Sequence, residues 1–333
     1  MNFSLIICTY KRPQALLTLL QSVKQQTLYP TEILIVDGSP DDFTKEMLAQ
    51  HFFQNLDYYK VEEKDRGLTK QRNYGIARVA NTSEVVCFLD DDTVLAPNYF
   101  EEIIKTYTIH PEALGVGGYI TNEVSWQNVG DGYVATVNEF YYDGWKRKDG
   151  SRFVWRKKLG LDSDVPPGCS PAFSHGRSVG FLPPSGKVYA VEQLMGGVSS
   201  FKKTVFNEFN FSTFFEGYGL YEDADFTLRV SKVGKLYINT KAQLGHYHNH
   251  SGRPNQYQYG KMVVRNGWYV WRVKFPKPSI KARLKWNAIV LLLTVVRFSN
   301  IFTTSKRNEA ATEFLGRMVG WFGLLIRKPK IQI

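Results

Sequence analysis

Three short apolar runs near the start of the chain limit its fold most. Phe3–Cys8, Glu32–Val36 and Glu84–Leu89 are rich in Ile, Val, Leu and Phe and read as strands. Between and after them stand helix-like segments. Pro13–Gln26 carries Ala15, Leu16, Leu19, Leu20 and Val23 on one face, and Pro97–Tyr107 carries Phe100, Ile103 and Ile104. In both, a proline stands early, where its missing N–H costs least. Strand, helix, strand in this rhythm predicts an α/β fold with a mostly parallel sheet flanked by helices. Such sheets bind ligands at the carboxyl ends of their strands, so the residues just after each strand carry the functional information.

Four polar clusters stand at or beside those ends. The first is Cys8-Thr9-Tyr10-Lys11-Arg12, whose hydroxyl, ring and two cations suit a base and a phosphate, or an ordinary loop. The second is Val36-Asp37-Gly38-Ser39-Pro40-Asp41-Asp42. A carboxylate after a buried strand can accept from a base N–H, while Ser39 or Asp41 can cap a helix. In the third, Asp65–Gly75, the cations Arg66, Lys70 and Arg72 surround a predicted helix start. That favours a phosphate, with a basic surface turn as the plainer reading. The fourth is Leu89-Asp90-Asp91-Asp92-Thr93. Three adjacent carboxylates repel one another unless a cation neutralises them or water solvates them. Hard cations such as Mg2+ or Mn2+ take oxygen ligands and are often completed by substrate phosphates. In an extended chain Asp90 and Asp92 point one way and Asp91 the other.

Further on, Glu222, Asp223 and Asp225 open an amphipathic helix with Leu228 and Val230 on its inner face. Acids there are dipole partners, or one is a general base. His246, His248 and His250 are three of the six histidines. One of them can complete a metal shell, and a polar loop is the alternative.

The net charge of +11 lies at one end. Between Arg272 and Lys330 stand 13 Lys and Arg against Glu309 and Glu313, which is 13 − 2 = +11. A basic tail of this kind seeks a polyanion. Its apolar runs, Ala288–Val296 and Met318–Ile326, are shorter than the ~20 residues a span needs and are closed by Arg297 and Arg327. Helices Ser279–Ser299 and Lys306–Ile326 are therefore expected to lie on an anionic membrane surface, or to pack on the preceding domain. Cys8, Cys87 and Cys169 show no paired spacing and suit a reducing compartment. No secretory leader is expected from the first residues. The stretch from 122 to 190 is expected to be loops and short elements beside the site.

In their order, these motifs resemble the family 2 glycosyltransferases, inverting enzymes of the GT-A fold. Thr9-Tyr10-Lys11-Arg12, Asp37-Gly38-Ser39, Gly67 with Arg72-Asn73-Tyr74-Gly75, Leu89-Asp90-Asp91-Asp92, Gly196–Lys203 and Glu222-Asp223 with Asp225 and Arg229 carry the resemblance, from Phe3 to about Gly252. Gln71 departs from the family's usual Ala. The resemblance implies a GT-A, Rossmann-like catalytic domain over 1–255, with a nucleotide-sugar half (1–120) and an acceptor half (121–255). A basic amphipathic helical extension, 256–333, follows. It implies that Thr9, Tyr10, Arg12, Asp37, Arg66, Arg72, Asp90 and Asp91 bind a UDP-, dTDP- or GDP-sugar. Asp90 and Asp92, with His246 or alternatively His248, would hold Mg2+ or Mn2+. Asp223 would be the general base, and Gly196, Gly197 and Glu222 would meet a glycan or lipid-linked acceptor. Expected partners include an anionic membrane but no nucleic acid, and the expected place is the inner face of the cytoplasmic membrane. A nicotinamide dehydrogenase is excluded, because no G-x-G-x-x-G follows the first strand. A sugar nucleotidyltransferase would need a glycine-rich loop there, and Ile7–Pro13 has no glycine. A purely membrane-binding module leaves the neutral, motif-bearing first 270 or so residues without a role.

Overall fold

The computed structural model describes residues 1–215, 217–248 and 255–331. In chain order these form β1 (Phe3–Thr9), α1 (Pro13–Lys24), β2 (Glu32–Asp37), α2 (Phe43–Ala49), β3 (Leu56–Lys60), α3 (Leu68–Ile76), β4 (Val85–Asp90), β5 (Thr93–Leu95), α4 (Tyr99–Ile109) and β6 (Ala113–Ile120). They continue as β7 (Gln127–Asn128), β8 (Glu139–Tyr142), β9 (Trp145–Lys148), α5 (Ser151–Lys158), β10 (Val188–Val191), β11 (Val198–Lys202), α6 (Glu222–Val230), β12 (Lys235–His246), α7 (Gln256–Lys274), α8 (Ile280–Thr303) and α9 (Arg307–Ile326). The chain divides into two units, Met1–Ser125 with Leu182–Gly252, and Trp126–Phe181 with Arg253–Ile333.

The first unit is built on a sheet of order β10-β12-β6-β11-β4-β1-β2-β3, with β5 added to β12. From β3 through β2 and β1 to β4 it is parallel; β11 then runs antiparallel between β4 and β6. The central strands read as unbroken apolar runs because both faces are covered. Leu5, Ile6 and Ile7 of β1 are fully buried, as are Leu16, Leu19, Leu20 and Val23 of α1. Burying each such side chain contributes ~1.5–3 kcal/mol. Pro13 starts α1, as expected. Pro97 does not start α4: Asn98 is the N-cap, and the Pro97 carbonyl accepts from Thr27 N–H at 2.9 Å.

Strand register sets the functional edge. Pairing places Thr9 beside Asp37 and Cys8 beside Asp90, so the ends of β1, β2 and β4 are flush. The antiparallel pairing of β12 with β5 then brings His246 opposite Thr93, next to the acidic turn.

The second unit holds the three-stranded sheet β7-β9-β8, α5 and α7 to α9. Its polar centre is Arg177, fully paired with Asp149 through two bonds of 2.9 and 3.0 Å and set over the rings of Phe140 and Phe153. Bidentate pairing of this kind is what makes a buried guanidinium tolerable. Around the helices, Trp271 stacks on Trp286 with centroids 5.3 Å apart. Helices α7 and α9 touch backbone to backbone: a Cβ on Gly316 would fall 2.0 Å from the Tyr257 carbonyl oxygen. Only glycine permits that approach.

Candidate active site

The acidic run does not continue as a strand. β4 ends at Asp90, residues 91 and 92 turn, and β5 begins at Thr93. A turn, and not the strand alternation expected, therefore sets where the three carboxylates go, and Asp91 and Asp92 both reach Arg12 Nη1. Asp91 points inward: its Oδ2 accepts from Thr9 Oγ1 at 2.7 Å and its Oδ1 from Arg12 Nη1 at 3.1 Å. Burial pushes its carboxyl up to about 6 against the pull of Arg12 and Thr9. Asp92 Oδ1 meets His246 Nε2 at 3.0 Å, and its Oδ2 lies 3.4 Å from Arg12 Nη1. Carboxylate oxygens of Asp90 and Asp92 and a ring nitrogen of His246 all lie within 4.8 Å of one another. Two carboxylates and one imidazole form a donor set that fits a hard divalent ion, and the nitrogen favours Mn2+ over Mg2+.

His246 is held on every side. Its backbone N–H and carbonyl are both bonded by the Asn122 amide, at 2.9 and 3.0 Å. Its Nδ1 lies 3.3 Å from Glu123 Oε1, and the following N–H, Tyr247, donates to the Asp92 carbonyl at 2.9 Å. Burial opposes the imidazolium, but the contacts with Asp92 and Glu123 outweigh it and push the pKa of the metal-free ring up to about 10, so a metal bound here would displace a proton from His246. His248 also meets Glu123, at 3.0 Å, but its ring is half exposed. Glu123, His246 and His248 form a second group with ligand atoms within 4.8 Å, sharing His246 with the first. His250 lies outside the described residues. Neither Asn122 nor Glu123 was singled out from the sequence, because nothing local marks them; a carboxylate behind a ligating imidazole fixes its tautomer and orientation.

At the β2 edge, Asp37 is fully buried. Its Oδ1 accepts from the Ser39 N–H and hydroxyl at 2.8 and 2.5 Å, and its Oδ2 from the Tyr58 hydroxyl at 3.0 Å. Ser39 Oγ in turn accepts from the Lys11 N–H at 2.7 Å, which ties the loops after β1 and β2 together. Gln71, the departure from the family pattern, adds a third tie. Its Nε2 donates to the carbonyls of Thr9 and Val36, at 3.2 and 2.8 Å, and its Oε1 accepts from Gly67 N–H. An alanine could make none of these bonds. Tyr10 is exposed on the same loop. Beside Gly67, Arg66 has a buried Nε without a hydrogen-bond partner among the described residues.

The last wall is α6 with the loop before β11. Arg72 is buried between Glu222, which it bonds directly, and Asp90 at 3.7 Å, with the Phe211 ring 5.1 Å from its guanidinium carbon. Asp223 opens the helix. Its Oδ2 accepts from Gly196 N–H at 3.2 Å and its Oδ1 from Ala224 N–H at 2.7 Å, while burial raises its pKa. Asp225 faces elsewhere, paired with Arg229 at 2.8 Å. Gly196 and Gly197 fit between these groups because they lack side chains. A Cβ on Gly197 would fall 2.0 Å from Asp90 Cγ, and one on Gly196 would fall 2.5 Å from Glu222 Oε1. The structure thus brings together Asp90, Asp92, His246, Arg72, Glu222, Asp223, Gly196 and Gly197. It sets Thr9 and Arg12 behind them on Asp91, and Asp37 at the end of β2.

Residues 4–171 match the model of "Glycosyl transferase family 2", half of the chain. The chain is 30% identical over 125 residues to a glucosyl-dolichyl phosphate glucuronosyltransferase of Haloferax volcanii, covering 36% of this chain and 38% of that one. It is 33% identical over 121 residues to the amylovoran biosynthesis glycosyltransferase AmsE of Erwinia amylovora, covering 35% and 45%. These matches therefore span less than half of either relative. Among solved structures it resembles the mannosyltransferase PcManGT of Pyrobaculum calidifontis, seen with GDP-Man and Mn2+, at a TM-score of 0.55 and 12% identity over 96% of this chain and 87% of that one.

Proposed function

Because the chain belongs to glycosyl transferase family 2 and has the GT-A fold, we propose that it transfers a sugar from a UDP-, dTDP- or GDP-sugar to an acceptor hydroxyl, with inversion at the anomeric carbon. The observation that carries this reading is that the Asp90, Asp92 and His246 group and Asp223 both border Gly196-Gly197, Asp90 lying against Gly197 and Asp223 accepting from the Gly196 N–H. Asp90, Asp92 and His246 would hold Mn2+ or Mg2+, which when bound neutralises the leaving diphosphate. Arg66 offers its guanidinium to the same phosphates. Thr9, Tyr10 and Asp37 form the base side, where Asp37 acts by shaping the loop that Ser39 and Lys11 share. Arg12 and Asp91 brace Asp92, and Arg72 and Glu222 brace Asp90. Asp223 takes the acceptor proton, held in place by two backbone N–H groups. One displacement with a base on the acceptor side gives inversion.

The acceptor is proposed to be a cell-envelope glycan or a lipid-linked sugar. The two relatives' names support that class, one naming a glucosyl-dolichyl phosphate and the other the biosynthesis of amylovoran. A lipid-linked acceptor and the basic tail together support a peripheral place on the inner face of the cytoplasmic membrane. The test is a donor screen with the full chain, reading nucleoside diphosphate release. One nucleotide class should be turned over only with a divalent ion present. No release from any donor with Mn2+ would reject the proposal.

Gly197 gives a sharper local prediction. Gly197→Ala should drive the Asp90 carboxylate off the shared face and weaken Mn2+-dependent nucleotide binding by about tenfold or more, the scale of a lost supporting contact. Titration calorimetry checks it, and unchanged affinity would mean Asp90 is not a ligand. A melting curve close to that of the parent chain shows that the loss is local.

A further inference from the structure

We infer that α8 and α9 together form a docking face that lies in the plane of an anionic bilayer. This deepens the peripheral location proposed above and is independent of the transfer chemistry. Each helix has two apolar stripes where a soluble helix needs one. On α8 the inner stripe, Ala282, Trp286, Ile289 and Val290, is buried. The outer stripe, Leu284, Leu291, Val295, Phe298 and Phe302, is 37–70% exposed. At 3.6 residues per turn these five fall within a sector of about 60°, opposite the buried set. On α9, Ala310, Gly316, Gly320 and Leu324 face inward. Leu315, Val319, Phe322 and Ile326, at i, i+4, i+7 and i+11, are 43–88% exposed. The helices run antiparallel, joined by Arg297 to Glu313 at 2.7 Å and by Trp321 Nε1 to Asn287 Oδ1 at 2.9 Å. That pairing turns both inner stripes to one side and both outer stripes to the other, and Phe298 meets Phe314 across the seam with centroids 5.0 Å apart.

By length and composition α8 could cross a membrane. Its charges and packing argue otherwise. Lys281, Arg283 and Lys285 occupy its first turns and Arg297 its later part, leaving Trp286–Val296 uncharged. Those residues extend ~16 Å, about half the hydrocarbon thickness. Arg297 is committed to Glu313, and Trp286 to the Trp271 stack. The charge around the outer stripes selects the partner. Both acids of the tail are paired, Glu313 with Arg297 and Arg317 and Glu309 with Lys306, so its excess is positive. Exposed apolar stripes rimmed by Lys and Arg match the acyl boundary and headgroups of an anionic leaflet.

The test is flotation of the full chain with vesicles of phosphatidylcholine, alone or mixed equally with phosphatidylglycerol. The chain should float with the mixed vesicles and far less with the neutral ones. Phe298→Asp combined with Phe322→Asp should cut the floating fraction at least tenfold while nucleotide binding is kept. Arg327→Glu with Lys328→Glu, which lie beyond the end of α9 and spare its folding, should reduce flotation and flatten its salt dependence. Failure of the parent chain to float overturns both this face and the peripheral location. Flotation that survives the Phe298 and Phe322 substitutions overturns the face alone. A dimer in light scattering that those substitutions dissociate would instead assign the stripes to a second copy.

Discussion

Asp223→Asn should lower kcat about a thousand-fold, or ~4 kcal/mol at the transition state, while affinity for Mn2+ and nucleotide changes by less than about threefold. The expected split follows from the surroundings of Asp223. Its oxygens accept from the N–H groups of Gly196 and Ala224, and an asparagine can keep part of that geometry without being a base. Single-turnover kinetics and calorimetry on the same variant separate the two effects. Equal losses in binding and turnover would move Asp223 into the donor site. The pH profile adds a signed expectation. Burial raises the Asp223 carboxyl, and the reacting form is the ionised one. Activity is therefore present above its pKa and is lost as pH falls through it. The acidic limb of kcat/KM should lie above the usual aspartate range.

Asp92→Asn is the second large effect. It removes a carboxylate that touches His246 directly, and should weaken Mn2+ binding by at least a hundredfold and kcat/KM by about a thousand-fold, several kcal/mol of electrostatic stabilisation. Asp91→Asn should be milder, about tenfold, because Asp91 acts through Thr9 and Arg12. Manganese paramagnetic resonance gives the affinities without relying on turnover. If Asp91→Asn is the more damaging, the shared face is not Asp90 with Asp92.

The features readable in the sequence are those set by local chemistry. Strands β1, β2 and β4 announced themselves because both faces are buried, which leaves no polar alternation to confuse with a helix. Their carboxyl ends then pointed to Thr9, Asp37 and Asp90. What escaped depends on contacts between distant segments. Choosing His246 over His248 requires knowing that β12 pairs with β5 and that Asn122 grips the strand end. Glu123 has no motif around it, and Gln71 stands in the sequence only as a departure, because the span of its amide across β1 and β2 exists only in the folded chain. Gly196 and Gly197 were legible as a glycine pair, but their reason, the closeness of Asp90 and Glu222, is a matter of packing. Pro97 misled because a proline just before an N-cap and one at the first helical turn look alike in sequence.

The most direct test of the account is calorimetric titration of UDP, dTDP and GDP into the full chain, with and without Mn2+. One diphosphate should bind with Mn2+ and weaken strongly without it. Asp92→Asn should abolish that dependence, and Asp223→Asn should preserve it. Binding of none of the three with Mn2+ present, or equal binding with and without the ion, would contradict a metal-assisted donor site at Asp90, Asp92 and His246.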